Sequence, residues 1–428
     1  MTLDPVHFDG IASLARRIRT DVDTEEHRDI AEETWREFLD PLYGDGDVVL
    51  EPLDEQSRRA APLEELALQE RPFDTAHGLD SGTINPRTFK NGLVLDLAQA
   101  AMSATPSELD LHRSRTVITS VHSNDASVDH STDWTKWDAG YSRGRIVHTA
   151  PLARDQERVV HGLSLYLAES HHALEHADRV EDLLVLDGPL YPKGLVQWLD
   201  RHASLADLVT EDELVGEVLE NYMRLVERFV EKDVPLAGFV KSPASQALVQ
   251  ALGDRGRPTP WASDAAFFSQ VLERREFEEG EYERLTDELT WTNWFTSTLG
   301  ADGVFADGAG LSSAGDQTES DDNDEPGVDR ELDASAYEVA FFVLYDPRTD
   351  LVHKVELPRA FAEDADVREA VERYVTSQVA AEAGPPKPVG KADELARIDA
   401  AEKRELVRKL EESFDSREDQ NYDDERWG

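Results

Sequence analysis

Leu183-Leu184-Val185-Leu186, stopped by Asp187-Gly188-Pro189, is the stretch that decides the fold. A short unbroken apolar run closed by a turn reads as a strand buried on both faces, and therefore as a central strand of a sheet covered by helices. An amphipathic helix is predicted just before it, over residues 155–178, with Val159, Leu163, Leu167 and Leu174 marking the buried stripe. After it come a predicted helix over 211–232, a strand over 236–241 and a helix over 245–252.

Upstream, short strands are expected at 77–79, 92–97, 116–122 and 144–149, the first ending at Asp80-Ser81-Gly82, read as a turn. The polar, aromatic stretch 124–141 reads as a loop or hairpin. Downstream, strands at 337–345 and 351–357 flank Asp346-Pro347-Arg348-Thr349-Asp350, a hairpin turn. A helix is expected over 367–381, a loop over 385–388 and a charged helix over 391–414. Residues 5–42 read as helices, with Ile11, Leu14 and Ile18, then Ile30, Trp35 and Leu39, at helical spacing. The stretch 43–76 is mixed, with a short helix near 63–68. Residues 300–331 are rich in Gly, Ser and Asp and read as a flexible insertion. The expectation is an α/β fold: a helical N-terminal arm (1–74), one mixed-sheet core with helical insertions (75–415), and an acidic tail (416–428).

Charge is the dominant compositional feature. Ninety Asp and Glu against 44 Lys and Arg give a formal net charge of -46, spread along the whole chain and interleaved with apolar runs. In dilute salt such a surface repels itself. At molar salt the screening length falls to roughly 3 Å, so the balance reads as adaptation to a salt-saturated cytoplasm. In that setting the global sign does not argue against a nucleic-acid partner, and local chemistry must decide. The absence of cysteine excludes disulfides and thiolate metal sites. Met1-Thr2-Leu3-Asp4-Pro5 does not resemble an export signal, and no apolar run is long enough to span a bilayer, so a cytoplasmic protein is expected. No phosphate-binding loop, dinucleotide fingerprint or Gly-x-Ser-x-Gly elbow occurs, which argues against ATP hydrolysis and acyl transfer.

The chemistry-bearing candidates are carboxylates. Asp80 and Asp187 each close a predicted strand, and functional groups of α/β sheets gather at the carboxyl ends of strands. Two such carboxylates repel unless a cation lies between them, and oxygen-only ligands suit Mg²⁺ or Mn²⁺. Each is equally a common turn residue. Glu169, on the helix before the central strand, lies at the edge of its apolar stripe and reads either as a ligand or as a solvated surface group. Lys241, at the end of a predicted strand in a lysine-poor chain, suggests a phosphate contact. Glu356 sits in an otherwise apolar strand, either structural or facing a cleft. His172 and His176 have a metal-binding spacing, but with His171 they are expected to be exposed. His122, Asp125, Asp129, His130 and Asp133 read as a surface loop.

These residues resemble, in order, the motifs of the NurA family of archaeal nucleases. Leu79-Asp80-Ser81-Gly82 resembles the first acidic motif, usually Asp-Gly-Ser, with Ser and Gly exchanged. Leu184-Val185-Leu186-Asp187-Gly188-Pro189-Leu190 matches the second. Gly238-Phe239-Val240-Lys241-Ser242 resembles the Lys-Ser strand end, and Val355-Glu356-Leu357-Pro358 the late strand. The resemblance spans roughly residues 75–400. It implies a ribonuclease-H-like core, a homodimer, and a DNA nuclease using Mn²⁺ or Mg²⁺ that works with the hexameric HerA translocase at DNA ends. By the same resemblance Asp80, Glu169, Asp187 and Asp393 are metal-ligating and catalytic, with Lys241 also catalytic. The family's C-terminal Tyr and His are replaced here by Pro385 and Asp393. An aspartate can still ligate a hard cation, but a proton donor is lost. The alternative expectation is therefore a catalytically weak or inactive regulatory subunit of the HerA motor.

Overall fold

The computed structural model describes residues 5–15, 17, 24–44, 46–123, 131–148, 157–195, 213–278, 281–303 and 330–419. Its strands are β1 (Leu42–Gly44), β2 (Asp47–Pro52), β3 (Arg58–Pro62), β4 (Ala76–Thr88), β5 (Leu93–Thr105), β6 (Arg115–Ser123), β7 (Thr135–Trp137), β8 (Ser142–His148), β9 (Leu184–Asp187), β10 (Leu236–Val240), β11 (Arg275–Glu278), β12 (Glu281–Arg284), β13 (Glu288–Thr292), β14 (Phe295–Ser297), β15 (Val339–Asp346) and β16 (Leu351–Pro358). Its helices are α1 (Pro5–Ala15), α2 (Thr24–Phe38), α3 (Leu63–Ala67), α4 (Leu109–Arg113), α5 (Glu157–His176), α6 (Glu213–Glu231), α7 (Ala247–Asp254), α8 (Asp264–Leu272), α9 (Arg359–Ala362), α10 (Ala365–Glu382), α11 (Lys387–Ala396) and α12 (Ala400–Phe414).

The apolar run is a central strand, as its composition requires. β9 runs parallel to both neighbours, β4 and β10, within a fourteen-stranded mixed sheet ordered β1-β2-β14-β15-β16-β10-β9-β4-β5-β6-β8-β7, with β13 branching from β15 and pairing in turn with β3. Strand alternation sends its side chains to two separate cores. Leu184 and Leu186 pack with Leu79 under Leu163 and Leu167 of α5 and Val226 and Phe229 of α6. Leu183 and Val185 pack with Ala237 and Phe239 under Val371, Tyr374 and Val375 of α10 and Val389 of α11. Full burial of each such large side chain stabilises by roughly 1.5–3 kcal/mol. A third core, at the β14–β15–β16 end, is capped by Trp35 of α2, Leu248 of α7 and Phe267 and Phe268 of α8.

Several expectations are corrected. Asp80-Ser81-Gly82 is not a turn: β4 runs through it, paired with β5 from Ala76↔Thr105 to Thr88↔Val94. Ala98-Gln99-Ala100-Ala101-Met102 of β5 pairs opposite it and continues the ladder through Leu79–Thr83. Residues 42–62, assigned to the helical arm, supply β1–β3, and β2 and β3 pair with β14 and β13 of the main sheet. The charged helix expected over 391–414 is two helices. Pro388 sits in the first turn of α11, where a missing N–H costs nothing, and Asp399 restarts the chain as the N-cap of α12 in a capping box with Glu402. Of the expected insertion, residues 304–329 lie outside the described residues, as do 420–428 of the tail. Asp302, within that insertion, is buried. No helix among the described residues is long and apolar enough to cross a membrane.

Candidate active site

The parallel register of β4 and β9 pairs Leu79 with Leu186, so Asp80 and Asp187 follow at the same level on adjacent strands. Both turn to the face covered by α10 and α11. Val185, two residues before Asp187, packs on that side, and a Cβ on Gly78, two residues before Asp80, would lie 2.3 Å from the Pro388 backbone of α11. The two carboxyl groups lie close enough for the charge of Asp187 to raise the pKa of Asp80. On the other side of β9, Phe239 of β10 pairs with Asp187, and two residues on, Lys241 Nζ donates to Asp187 Oδ2 at 2.5 Å.

Ser81 alternates to the opposite face. Its hydroxyl donates to Glu169 Oε1 at 2.6 Å, and the Tyr222 hydroxyl of α6 donates to Glu169 Oε2 at 3.3 Å. Glu169 is half-buried, which overturns the solvated-surface reading. It faces the strand ends from α5 and lies close enough to Asp80 and Asp187 for their charges to be felt.

Asp393 arrives on α11. That helix crosses β4 in a seat made by two glycines on either side of Asp80. A Cβ on Gly82 would lie 2.0 Å from the Ala396 carbonyl oxygen. Ser103 Oγ donates to Pro388 O at 2.6 Å, Gln99 Nε2 to Ala396 O at 2.9 Å and Arg115 to Leu395 O at 2.9 Å. The helix is thus fastened at both ends, and Asp393 comes near enough to raise the pKa of Asp187. Arg397 pairs with Asp393 at 2.7 Å, on the exposed side. Pro385 is half-buried just before the helix.

The electrostatics show a surplus of negative charge. Burial, reinforced by Asp187 and Glu169, pushes Asp80 up to about 8, against the Ser81 amide and Lys241. Burial pushes Glu169 up to about 7, although the Ser81 and Tyr222 hydroxyls favour its charged form. Burial also raises Asp187, with Lys241 opposing. One ammonium does not balance these groups. Among the described residues no group of three His, Asp or Glu side chains is arranged to hold a metal ion as it stands. Lys241 is seated on Asp187, and two hydroxyls hold Glu169. The donor set, carboxylate oxygens only, nonetheless has the chemistry of a site for Mg²⁺ or Mn²⁺.

The other candidates separate from this cluster. The α5 histidines are not exposed. His172 is fully buried with Nδ1 3.0 Å from Thr116 Oγ1, its ring 4.5 Å from that of His176, and His171 Nε2 lies 2.8 Å from Glu217. His172 faces β6 and His171 faces α6, so the buried face of α5 is wider than the leucines alone suggest. Asp125, Asp129 and His130 lie outside the described residues, and Asp133 makes an exposed contact with Ser131. Glu356 is buried in an ion cluster with Lys193, Lys354 and Asp302. Sequence reasoning missed Ser81 and Tyr222 as supports of Glu169. The Ser81 signal was available, since it follows Asp80 and must face away from it if the strand continues.

The family described as NurA domain matches residues 74–398 of the chain, a span containing all five candidate residues. No curated protein matches. Among solved structures, the chain is similar to the NurA nuclease from Sulfolobus solfataricus, at 12% identity and TM-score 0.48, covering 96% of this chain and 98% of that one. It is also similar to a structure of NurA with manganese, at 10% identity and TM-score 0.39, covering 82% and 95%. A third, NurA bound to dAMP and manganese, stands at 10% identity and TM-score 0.42, covering 96% and 98%.

Proposed function

This chain belongs to the NurA family, and from that premise we propose that it is a divalent-metal-dependent deoxyribonuclease that hydrolyses phosphodiester bonds. The observation that carries the reading is the pair Asp80 and Asp187, set in register on adjacent parallel strands and pushed up in pKa. Asp80, Glu169, Asp187 and Asp393 are the residues that would hold one or two Mn²⁺ or Mg²⁺ ions. Bound there, such ions balance the carboxylates and supply Lewis acidity to water and to the scissile phosphate. The chain's own groups do the rest. Ser81 and Tyr222 orient Glu169, α11 brings up Asp393, and Lys241 exchanges its contact with Asp187 for one with a phosphate oxygen.

The order β6-β5-β4-β9-β10, with β6, β5 and β4 antiparallel and β9 and β10 parallel to β4, supports a ribonuclease-H-like reading of the core. The family resemblance supports a homodimer acting in the cytoplasm with a HerA-like hexameric ATPase in DNA end resection and double-strand break repair. The net charge of -46 supports a salt-saturated, haloarchaeal setting.

The test is a nuclease assay at molar KCl with Mn²⁺, comparing the wild type with Asp187→Ala. Cleavage by the wild type alone is expected, and equal activity in the two refutes the site. A second reading is a regulatory subunit of the motor. It is favoured by Pro385 and by Asp393 standing half-exposed against Arg397 where the family carries Tyr and His. Stimulation of a HerA-like ATPase with no cutting under any metal would select it.

A further inference from the structure

Two buried carboxylates, Glu356 and Asp302, and two partly buried ammoniums, Lys193 and Lys354, lie behind the turn that follows Asp187. Glu356 Oε1 accepts from Lys193 Nζ at 2.6 Å and from Lys354 Nζ at 2.8 Å. Asp302 closes the ring, with Lys193 on one oxygen and Lys354 on the other, the latter at 3.1 Å. Two ammoniums and two carboxylates make a neutral set. Glu356 is 1% exposed. Taking such charges out of water is costly even when they are paired, and replacing such sets by apolar residues is often stabilising. Stability alone is therefore a weak account of their presence.

Their position suggests another. Asp187 ends β9, and the chain turns back at Gly188, whose φ of 132° few L-residues adopt. The turn then crosses β10 at Gly238, where a Cβ would lie 2.6 Å from Leu190 N and 2.8 Å from Gly188 O. Gly188 N–H donates to Phe239 O at 3.0 Å. The Leu190 N–H donates to Glu356 Oε2, also at 3.0 Å. Glu356 lies opposite Gly238 on β16, so it meets the turn from below at two points, the Leu190 amide and the Lys193 ammonium.

We propose that Glu356 is a positioning residue for Asp187: held by Lys193, Lys354 and Asp302, it anchors the 188–193 segment and so fixes where the Asp187 carboxylate stands relative to Asp80. This rests on the reading of Asp80 and Asp187 as divalent-cation ligands. Lys193 and Asp302 act through Glu356 and touch no reacting group.

The test uses two charge-balanced variants of the full chain. Glu356→Gln/Lys193→Met keeps an acceptor for the Leu190 amide and leaves the Lys354–Asp302 pair intact. Glu356→Leu/Lys193→Met keeps the same pair and removes the acceptor. Mn²⁺ affinity is read directly, from the signal of free Mn²⁺, together with kcat and KM for DNA at molar KCl. The Leu variant is expected to lose about tenfold or more in Mn²⁺ affinity or kcat, the usual range for a lost support of a metal ligand, with KM unchanged. The Gln variant should stay within a few-fold of wild type. Equal Mn²⁺ affinity and kcat in all three proteins overturns the proposal.

Hydrogen exchange on the wild type decides the matter if a variant does not fold. The amide of Leu190 should be as protected as those of β9, and exchange at the rate of an open loop overturns the anchor. A wild type that binds no Mn²⁺ would instead remove the metal-site reading, while the exchange result would still stand on its own.

Discussion

The Ser81 hydroxyl donates to Glu169 at 2.6 Å, while its neighbour Asp80 points to the other face of β4, toward α11. Consecutive residues of one strand thus serve two helices. This accounts for the order Ser81-Gly82 after Asp80. The residue after Ser81 must be a glycine because the Ala396 carbonyl occupies the place of its Cβ, and the serine is useful only where it reaches Glu169.

Ser81→Ala removes one of the two hydroxyls that favour ionised Glu169. Glu169 should then titrate higher than about 7, and Mn²⁺ affinity near neutral pH should fall by about tenfold. A metal titration at several pH values checks this. Affinity that is unchanged across the range contradicts the assigned role of Ser81.

Gly82→Ala forces the α11 backbone away from β4. Overpacking of this kind costs roughly 1–3 kcal/mol, measurable as a lowered denaturant midpoint. Because α11 carries Asp393, cleavage should fall further than the stability loss explains. The reverse exchange, Ser81→Gly with Gly82→Ser, should be worse than Gly82→Ala, since it adds the larger side chain against the same carbonyl and also strips Glu169 of its donor.

The raised carboxyl groups set the pH dependence of the metal-free protein. Asp80 moves from 3.8 to about 8 and Glu169 from 4.5 to about 7 on folding. Between the unfolded and folded values the native protein holds protons that the unfolded chain has released. Stability from these groups therefore falls as pH rises from about 4 toward about 8. Thermal melts without metal should show that decline. Asp80→Asn should flatten it, and Mn²⁺ should stabilise the wild type most at the alkaline end. A metal-free melting temperature that rises steadily over the same window would be incompatible with these shifts.

Lys241 is the cation already resting on Asp187. Lys241→Met should raise Mn²⁺ affinity, because a competing positive charge is gone, and lower kcat, because a phosphate contact is lost. Opposite movement of the two quantities separates this role from a structural one, in which both would fall with stability.

Much of this was legible in the sequence, and the failures have physical causes. The 183–186 run marked the central strand because burial on both faces demands consecutive apolar residues. The hairpin at 346–350 was marked by its turn chemistry. Asp80-Ser81-Gly82 is turn-like locally, so the sequence ends β4 too early. Only the pairing with β5 and the approach of α11, both distant in sequence, show why the strand continues. β1–β3 are short and mostly exposed and β13–β14 short and almost wholly buried, so no local period announces them. Glu356 is a charge in an apolar strand, but its partners Lys193, at a helix start, and Asp302, at the end of a short 3-10 helix, are distant in sequence and are brought to it only by the tertiary fold.

Anomalous diffraction from crystals soaked in Mn²⁺ at molar KCl tests the central claim most directly. A peak is expected about 2–2.5 Å from carboxylate oxygens of both Asp80 and Asp187, with Lys241 withdrawn from Asp187, and no peak there in Asp187→Ala. Manganese bound elsewhere, with the Lys241–Asp187 pair intact and the two aspartates sharing no ion, would contradict it.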